Sequence, residues 1–440
     1  MSLLKDSSIN NNYTEKQEKP IHPPRKKINI KRVDLFLLIV IMIALLTPVI
    51  KGLFTKPKTA VSSDVNLYLS RQCENFFGKE MTEKLIREFE EKNPGIQIIL
   101  ADEAQEPDVL IFNDGDFNQL VSENALIELN SFTNYESGSL QMAIPLVSFM
   151  NLLFYNIDIL SEAGFDSPPK TREEFTAYAK TVSQGESGAS GAALSLSQSD
   201  HQSMSRDVFS WIWASGGNFW EDGDSQSALT APSLAVRTTI NEISFLETLF
   251  REGYLAQRVF ETRGEQRIEQ FANGRVALMI ASSQVIPYLR GKMGDRAFGI
   301  TTIPGLGTVG QYSTGLSAIY TAISAKSENP EQAWDFLVFL TGKSSLFCEE
   351  LKAVPGVVSN IIPGEYVKDD PFYSKAWDIF EASQIARGFT GKPGADEYET
   401  IFFEELRSYF ERTRTATQTV NAIQQRWNEV FINNEQEKIY

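Results

Sequence analysis

Between residues 65 and 112 the apolar period changes twice, and this restricts the fold more than any other feature of the chain. Val65, Leu67 and Leu69 alternate as on a strand, Leu85, Ile86 and Phe89 fall at helical spacing, and Ile96, Ile98 and Leu100 alternate again. Asn93, Pro94 and Gly95 stop the intervening helix. Val109 to Phe112 then forms a short unbroken apolar run, the pattern of a parallel strand covered on both faces. Strand, helix and strand in this order specify α/β architecture.

Further elements are marked by their ends. Thr171 to Glu174 reads T-x-x-E ahead of Phe175, Tyr178 and Val182, so hydroxyl and carboxylate are expected to satisfy free backbone amides in a capping box. Pro330 follows Asn329 and precedes a stripe of Ala333, Trp334, Leu337 and Leu340 that ends at Gly342, which predicts a second helix. The Ser- and Gly-rich stretch 183–199 reads as a loop with a short strand at Ala192 to Leu196.

The charge balance excludes several functions. With 41 basic and 57 acidic residues the 440-residue chain carries a formal charge of −16, unsuited to displacing counterions from nucleic acid. Of the two histidines only His201 lies beyond residue 54, which removes His-cluster and His-bridged triad mechanisms. Cys73 and Cys348 are too few for a cysteine zinc site; one disulfide and two independent thiols both remain open. No metal or cofactor is expected.

Residues 1–34 are polar and basic, with Asn10 to Asn12 in a row and Pro20, Pro23 and Pro24 close together, and read as a disordered cytoplasmic tail. Arg25, Lys26, Lys27, Lys31 and Arg32 precede an apolar run from Leu35 to Leu46 that continues to Ile50. Sixteen residues give roughly 24 Å of helix, short of the ~30 Å hydrocarbon core, and extension to Phe54 with Lys51 snorkelling closes the gap. Residues 35–54 are therefore expected to be an uncleaved transmembrane signal anchor, favoured over a cleaved signal peptide because no small-x-small site follows. Positive charge ahead of the span keeps residue 1 in the cytoplasm. The expected location is the bacterial cytoplasmic membrane, single-pass, with the C-terminal domain on the periplasmic side.

Three local patterns suggest ligands and are set aside. Gly305, Gly307 and Gly310 match a dinucleotide fingerprint, but an alternating segment follows where a helix is needed. Gly342, Lys343 and Ser344 end like a P-loop, yet the upstream glycine position is Leu337. Asp114 to Asp116 and Asp222 to Asp224 lack the spacing of a calcium-binding EF-hand. The aromatic cluster Phe209, Trp211, Trp213, Phe219 and Trp220 is more informative. One helical stripe cannot bury all five, so at least one is expected at a surface or cleft.

These segments, taken together, resemble the extracellular solute-binding proteins, family 1, of bacterial ABC importers. The resemblance runs through KLIREFEEKNPGIQI, PDVLIFND and LLFYNIDILSEAGFDSPPKTREEF, then WASGGNF, IEQFANGRVALMIASSQ and ISAKSENPEQAWDFLVFLTG leading to AVPGV. It implies a two-lobed periplasmic-binding-protein fold (type II) in which three crossing segments form a hinge and the ligand lies in the cleft. On this chain the crossings fall near Leu146 to Met150, Tyr312 to Leu316 and Val354 to Val358. Lobe one would hold 61–147 plus 315–354, and lobe two 148–314 plus 355–440.

Family position, together with the carboxyl ends of strands where open α/β sheets hold ligands, selects the ligand-binding candidates. They are Ser70, Arg71, Phe112, Asn113, Asp114 and Phe149, joined from lobe two by Arg206, Trp211, Ser283, Gln284 and Tyr312. Gln284 stands where many relatives carry Trp, and between Leu100 and Pro107 the chain is too short for a helix that relatives usually have. The resemblance implies a membrane-tethered receptor that captures a carbohydrate or related polar solute for ABC permease subunits, without enzymatic chemistry. A ligand-free tethered sensor or scaffold is the alternative; a glycosidase would need paired carboxylates ~5 to 9.5 Å apart.

Overall fold

The computed structural model describes residues 65–437 apart from 103, 133–141, 221–230, 307–311, 357–363 and 387. The tail 1–34, the segment 35–54, the Asp222 to Asp224 turn, and Gly307 and Gly310 lie outside the described residues. Among the described residues no helix is long and apolar enough to cross a membrane.

Among the described residues ten strands make up the sheet structure: β1 (Val65–Leu69), β2 (Ile96–Leu100), β3 (Val109–Asn113), β4 (Ile144–Asn156), β5 (Ser190–Ala193), β6 (Val276–Ser282), β7 (Phe298–Thr301), β8 (Tyr312–Ile323), β9 (Val354–Pro355) and β10 (Ser383–Ala386). The helices that matter for the site are α1 (Lys79–Lys92), α2 (Asp114–Ser122), α3 (Arg172–Gln184), α4 (His201–Ala214), α5 (Val236–Arg251), α6 (Gly264–Ala272), α7 (Pro330–Thr341), α8 (Ala395–Phe410) and α9 (Ala416–Glu437).

Hydrogen bonding runs in the order β2-β1-β3-β8-β4-β6-β5. The alternating segments at 65 and 96 pair in parallel as β1 and β2, and β3 joins β1 beginning at Leu69 opposite Val109. Two long strands serve both lobes of this mixed α/β fold. β4 pairs with β8 up to Met150 and with β6 from Asn151 onward. β8 pairs with β10 through Gly315 and with β4 from Leu316. The short strand β9 adds to β4, its Val354 and Pro355 opposite Ser148 and Val147. Strand pairing thus exchanges partners at Met150/Asn151 and Gly315/Leu316, close to the expected crossings.

Burial follows the periodicity. Leu85 and Phe89 of α1 are 1% exposed, and Phe89 meets Phe336 of α7 edge-on at 4.8 Å. Among the described residues between β2 and β3 there is no helix, in keeping with the shortened segment there. The Thr171 cap forms, its Oγ1 accepting from Glu174 N at 3.2 Å, but the Glu174 carboxylate takes the Lys170 amide at 2.6 Å instead of that of Thr171. The short strand of the Ser-rich stretch is Ser190–Ala193 and starts earlier than expected, because its parallel register on β6 begins at Val276. Cys73 and Cys348 are free and buried, and burial pushes both thiols up to about 11.

Lobe two is built around α4. Its aromatic cluster is largely covered: Phe209, Trp211, Trp213, Phe219 and Trp220 are all no more than 6% exposed. α4 is covered on several sides, and of the five Trp213 still reaches a cleft, as expected of at least one of them. Trp211 packs against Phe175 of α3 and Phe245 of α5 at 4.9 and 5.1 Å, while Phe209 packs against Phe219, Phe402 and Phe403.

Candidate functional site

Where β4 and β8 change partners, a cavity of about 420 Å³ opens between the lobes. Lobe one contributes the start of α2, lobe two the starts of α4 and α8, and the crossing strands contribute Asn151, Leu316 and Ser317 at the base. The volume falls within the range of small-molecule sites.

Each helix presents polar groups for a local reason. Asn113 caps α2, its Oδ1 accepting from Gly115 N at 2.8 Å, so the next carboxylate stands at the helix N-terminus. That carboxylate, Asp114, accepts from Ala318 N at 2.8 Å and from the Tyr320 hydroxyl at 3.0 Å on β8. Burial pushes Asp114 up to about 6 against the pull of these bonds and of Arg206. Asp200 caps α4 through Ser203 N and also accepts from Gly264 N at 2.7 Å. Burial opposes its ionisation, but the two amides and Arg206 outweigh it and hold Asp200 below the usual carboxylate range.

Arg206, one turn into α4, lines the same cavity. Burial lowers its pKa while the charges of Asp114 and Asp200 raise it. Glu399, on the first turns of α8, is pushed up to about 8, first by burial and then by the carboxylates of Asp396 and Asp114. The base of the cavity depends on a glycine. A Cβ at Gly315 would lie 2.2 Å from Cζ3 of Trp213, so only glycine on β8 admits that indole at the crossing.

The lobes also touch across the cavity mouth. Asn118 of α2 donates through Nδ2 to Asp396 Oδ1 at 2.8 Å and accepts through Oδ1 from Gly391 N at 2.9 Å. A Cβ on Gly115 would lie 2.2 Å from the Gln202 amide nitrogen of α4. α2 therefore sits against lobe two at two places.

Two of the residues selected from sequence, Asp114 and Arg206, line this cavity together. The others are placed elsewhere. Ser70 ends β1, and Arg71 donates from Nε to the Ala101 carbonyl at 3.2 Å and faces Glu74. Phe112 is buried against Phe117 and Tyr320, and Asn113 is spent on its cap. Phe149 is 3% exposed in the core, because its strand is covered on both faces where it crosses between lobes. Trp211 points away from the cavity toward Phe175 and Phe245, and Trp213, two residues on, lines it instead. Ser283 accepts from Met150 N at 3.2 Å, whereas Gln284 is exposed and outside the lining. Tyr312 begins β8, and of it only the backbone is described.

Sequence reasoning passed over Asn118, Asn151, Asp200, Ser205, Asp396 and Glu399. Asp200 carried a usable signal, an aspartate ahead of an apolar-rich helix. Asp396 and Glu399 carried none, since they lie on a surface-patterned helix beyond the stretches that resemble other proteins.

Comparison with known proteins gives one family. The model of the bacterial extracellular solute-binding protein family matches residues 78–345, more than half of the chain. An ABC transporter-binding protein of Deinococcus radiodurans is 23% identical over 269 residues, covering 58% of this chain and 61% of its own length. The chain thus spans about three-fifths of that relative. Among solved structures, the cyclic α-maltosyl-1,6-maltose binding protein of Arthrobacter globiformis superposes with a TM-score of 0.65 at 16% identity, covering 84% of this chain and 99% of the other. UgpB of Mycobacterium tuberculosis, in complex with glycerophosphocholine, gives 0.62 at 19% identity, with 85% and 99% covered. At these identities the structural likeness concerns the fold, while the family match concerns descent: the chain belongs to the bacterial extracellular solute-binding proteins.

Proposed function

We propose that this protein is an extracytoplasmic receptor that closes its two lobes on a small polar solute, a carbohydrate or a related compound, and presents it to ABC-type permease subunits. The observation that carries the reading is the cavity at the crossing strands, lined from both lobes by carboxylates, amides, hydroxyls and the Trp213 indole. A solute bridging those groups binds the closed arrangement better than the open one, so binding and closure are coupled. The relatives are binding proteins, and the reading includes no covalent step.

Residues 35–54 tether the receptor to the cytoplasmic membrane in this reading, supported by the apolar run and the basic cluster ahead of it. In fractionated cells the full-length chain is expected to stay with membranes after an alkaline wash. Recovery in the soluble fraction would remove the tether.

The receptor reading is tested by thermal melting of the full-length protein in detergent against mono- and oligosaccharides, polyol phosphates and amino acids. A solute at 100 times its dissociation constant adds ~2.7 kcal/mol, a shift of several degrees. The shift is expected to vanish in Asp114→Ala and in Trp213→Ala. The contact of α2 with Asp396, Gly391 and Gln202 favours a second reading, a tethered sensor or scaffold whose lobes are held by protein contacts. A folded protein whose midpoint no compound moves would establish that second reading over the first.

A further inference from the structure

The charges around the cavity are unequal. Among the described residues its lining includes four carboxylates, from Asp114, Asp200, Asp396 and Glu399, but one guanidinium, Arg206, and the imidazole of His201. Arg206 lies within the fields of Asp114 and Asp200, and among the described lining residues no guanidinium or ammonium comes from α8. Asp396 accepts one bond from Asn118. Glu399 takes a hydrogen bond from the Ser205 side chain and lies in the fields of the Asp396 and Asp114 carboxylates.

Independent polar groups in the lining also lack partners. Asn151 and Trp213 are each 6% exposed, and the Asn151 Oδ1 and Trp213 Nε1 atoms have no hydrogen-bond partner. A buried polar group without a partner costs about 1–3 kcal/mol, so the cavity is built for something that brings donors and acceptors. An ammonium group brings three donors and one positive charge, which suits the α8 side. Hydroxyls, which both donate and accept, suit Asn151, Trp213 and Arg206.

We propose that the cleft selects a polyhydroxylated solute carrying a protonated amine, an amino sugar in preference to a neutral one, with its ammonium between Glu399 and Asp396 and its hydroxyls toward Arg206, Asn151 and Trp213. This rests on the receptor reading and names the solute class for the same cavity. An anionic solute meets the excess of carboxylates. A neutral sugar leaves Glu399 protonated beside Asp396, whereas a cation between them gains the attraction of two ionised carboxylates.

The protonation of Glu399 gives a signature that a neutral ligand lacks. With its pKa at about 8, above the ordinary carboxylate value, the free protein holds this proton at neutral and mildly acid pH. An adjacent cation favours the carboxylate and lowers that pKa, so binding expels the proton. Among the described residues the other charged or titratable groups lining the cavity are Asp396 on α8 itself, Asp114 on α2, and Asp200, His201 and Arg206 on α4.

The test is calorimetric titration of the full-length protein at about pH 6, where the sugar amine is charged. D-glucosamine and its disaccharide are compared with glucose and cellobiose, each in two buffers of different ionisation enthalpy. The amino compounds are expected to bind at least about tenfold tighter, with an apparent heat that changes between buffers as protons leave. Glu399→Gln is expected to lose about tenfold for the amino compounds and the buffer dependence with it. Neutral sugars binding as tightly as the amino sugars, with buffer-independent heat, would overturn the amine selectivity and leave the receptor reading standing. Absence of binding by all four would overturn this proposal. Only a silent melting panel as well would take the receptor reading with it.

Discussion

Asp207→Ala is expected to destabilise the folded domain by about 3–5 kcal/mol. Asp207 is 1% exposed on α4, and its ion-pair partner Arg267 of α6 is 0% exposed. The second oxygen of Asp207 accepts from Ser195 N at 2.7 Å. Two nitrogens of Arg267, Nε and Nη2, already lack partners, so loss of Asp207 strands a buried guanidinium and a buried amide together. The cost arises from the charge left behind. Replacing both residues with apolar groups, as in Asp207→Leu with Arg267→Met, is therefore expected to cost far less than either single change. Urea denaturation of the three variants checks this through the midpoint at constant slope. A loss below about 1 kcal/mol in Asp207→Ala would show that the pair does not carry the energy assigned to it. The pair matters to the site because it fixes α4 to α6 beside the Gly264 to Asp200 bond, and α4 carries Arg206 and Trp213.

Trp427→Ala is expected to cost a similar amount, about 3–5 kcal/mol, by a different cause. Trp427 of α9 is 0% exposed and packs against Phe389 and Phe219 at ring separations of 5.0 and 5.6 Å. Its indole nitrogen donates to the Tyr398 carbonyl at 2.8 Å. Truncation leaves a cavity among rigid rings that cannot close around it, and removes the only polar tie of this side chain to α8. Trp427→Phe keeps most of the contact area and is expected to cost less than half as much. Equal losses in the two variants would mean that the hydrogen bond, and not the packing, dominates. Since Tyr398 adjoins Glu399, the alanine variant is also expected to weaken solute binding at temperatures well below its own midpoint.

The layout of lobe one was readable from residues 65–112 because each strand there carries a period of two and α1 a period of 3.6, and both patterns are local. Helix ends were readable for the same reason: Thr171 and Pro330 act within one turn of themselves. Resemblance supplied what periodicity could not, the crossing strands, since nothing in the composition of β4 or β8 announces that a strand changes partners midway. The candidate site was legible only at Asp114 and Arg206. Trp211 was preferred to Trp213, and the two cannot be separated by pattern. Both lie on a helix buried on several sides, so neither face is marked by polar neighbours. Asp396 and Glu399 were missed because a carboxylate on an amphipathic helix reads as a solvated face until another lobe is placed opposite it.

The two-lobed plan came from resemblance to a family; by itself the sequence determined α/β architecture, the helix starts at Thr171 and Pro330, and an acidic balance that excludes nucleic acid. Those properties depend on side chains within a few positions of one another or on a sum over all of them. Tertiary structure alone decided which groups share the cavity: Asp114 from residue 114, Arg206 from residue 206 and Glu399 from residue 399 meet because β4 and β8 bring two lobes together. It also decided their protonation, because burial and the fields of neighbouring carboxylates exist only once those distant segments are packed.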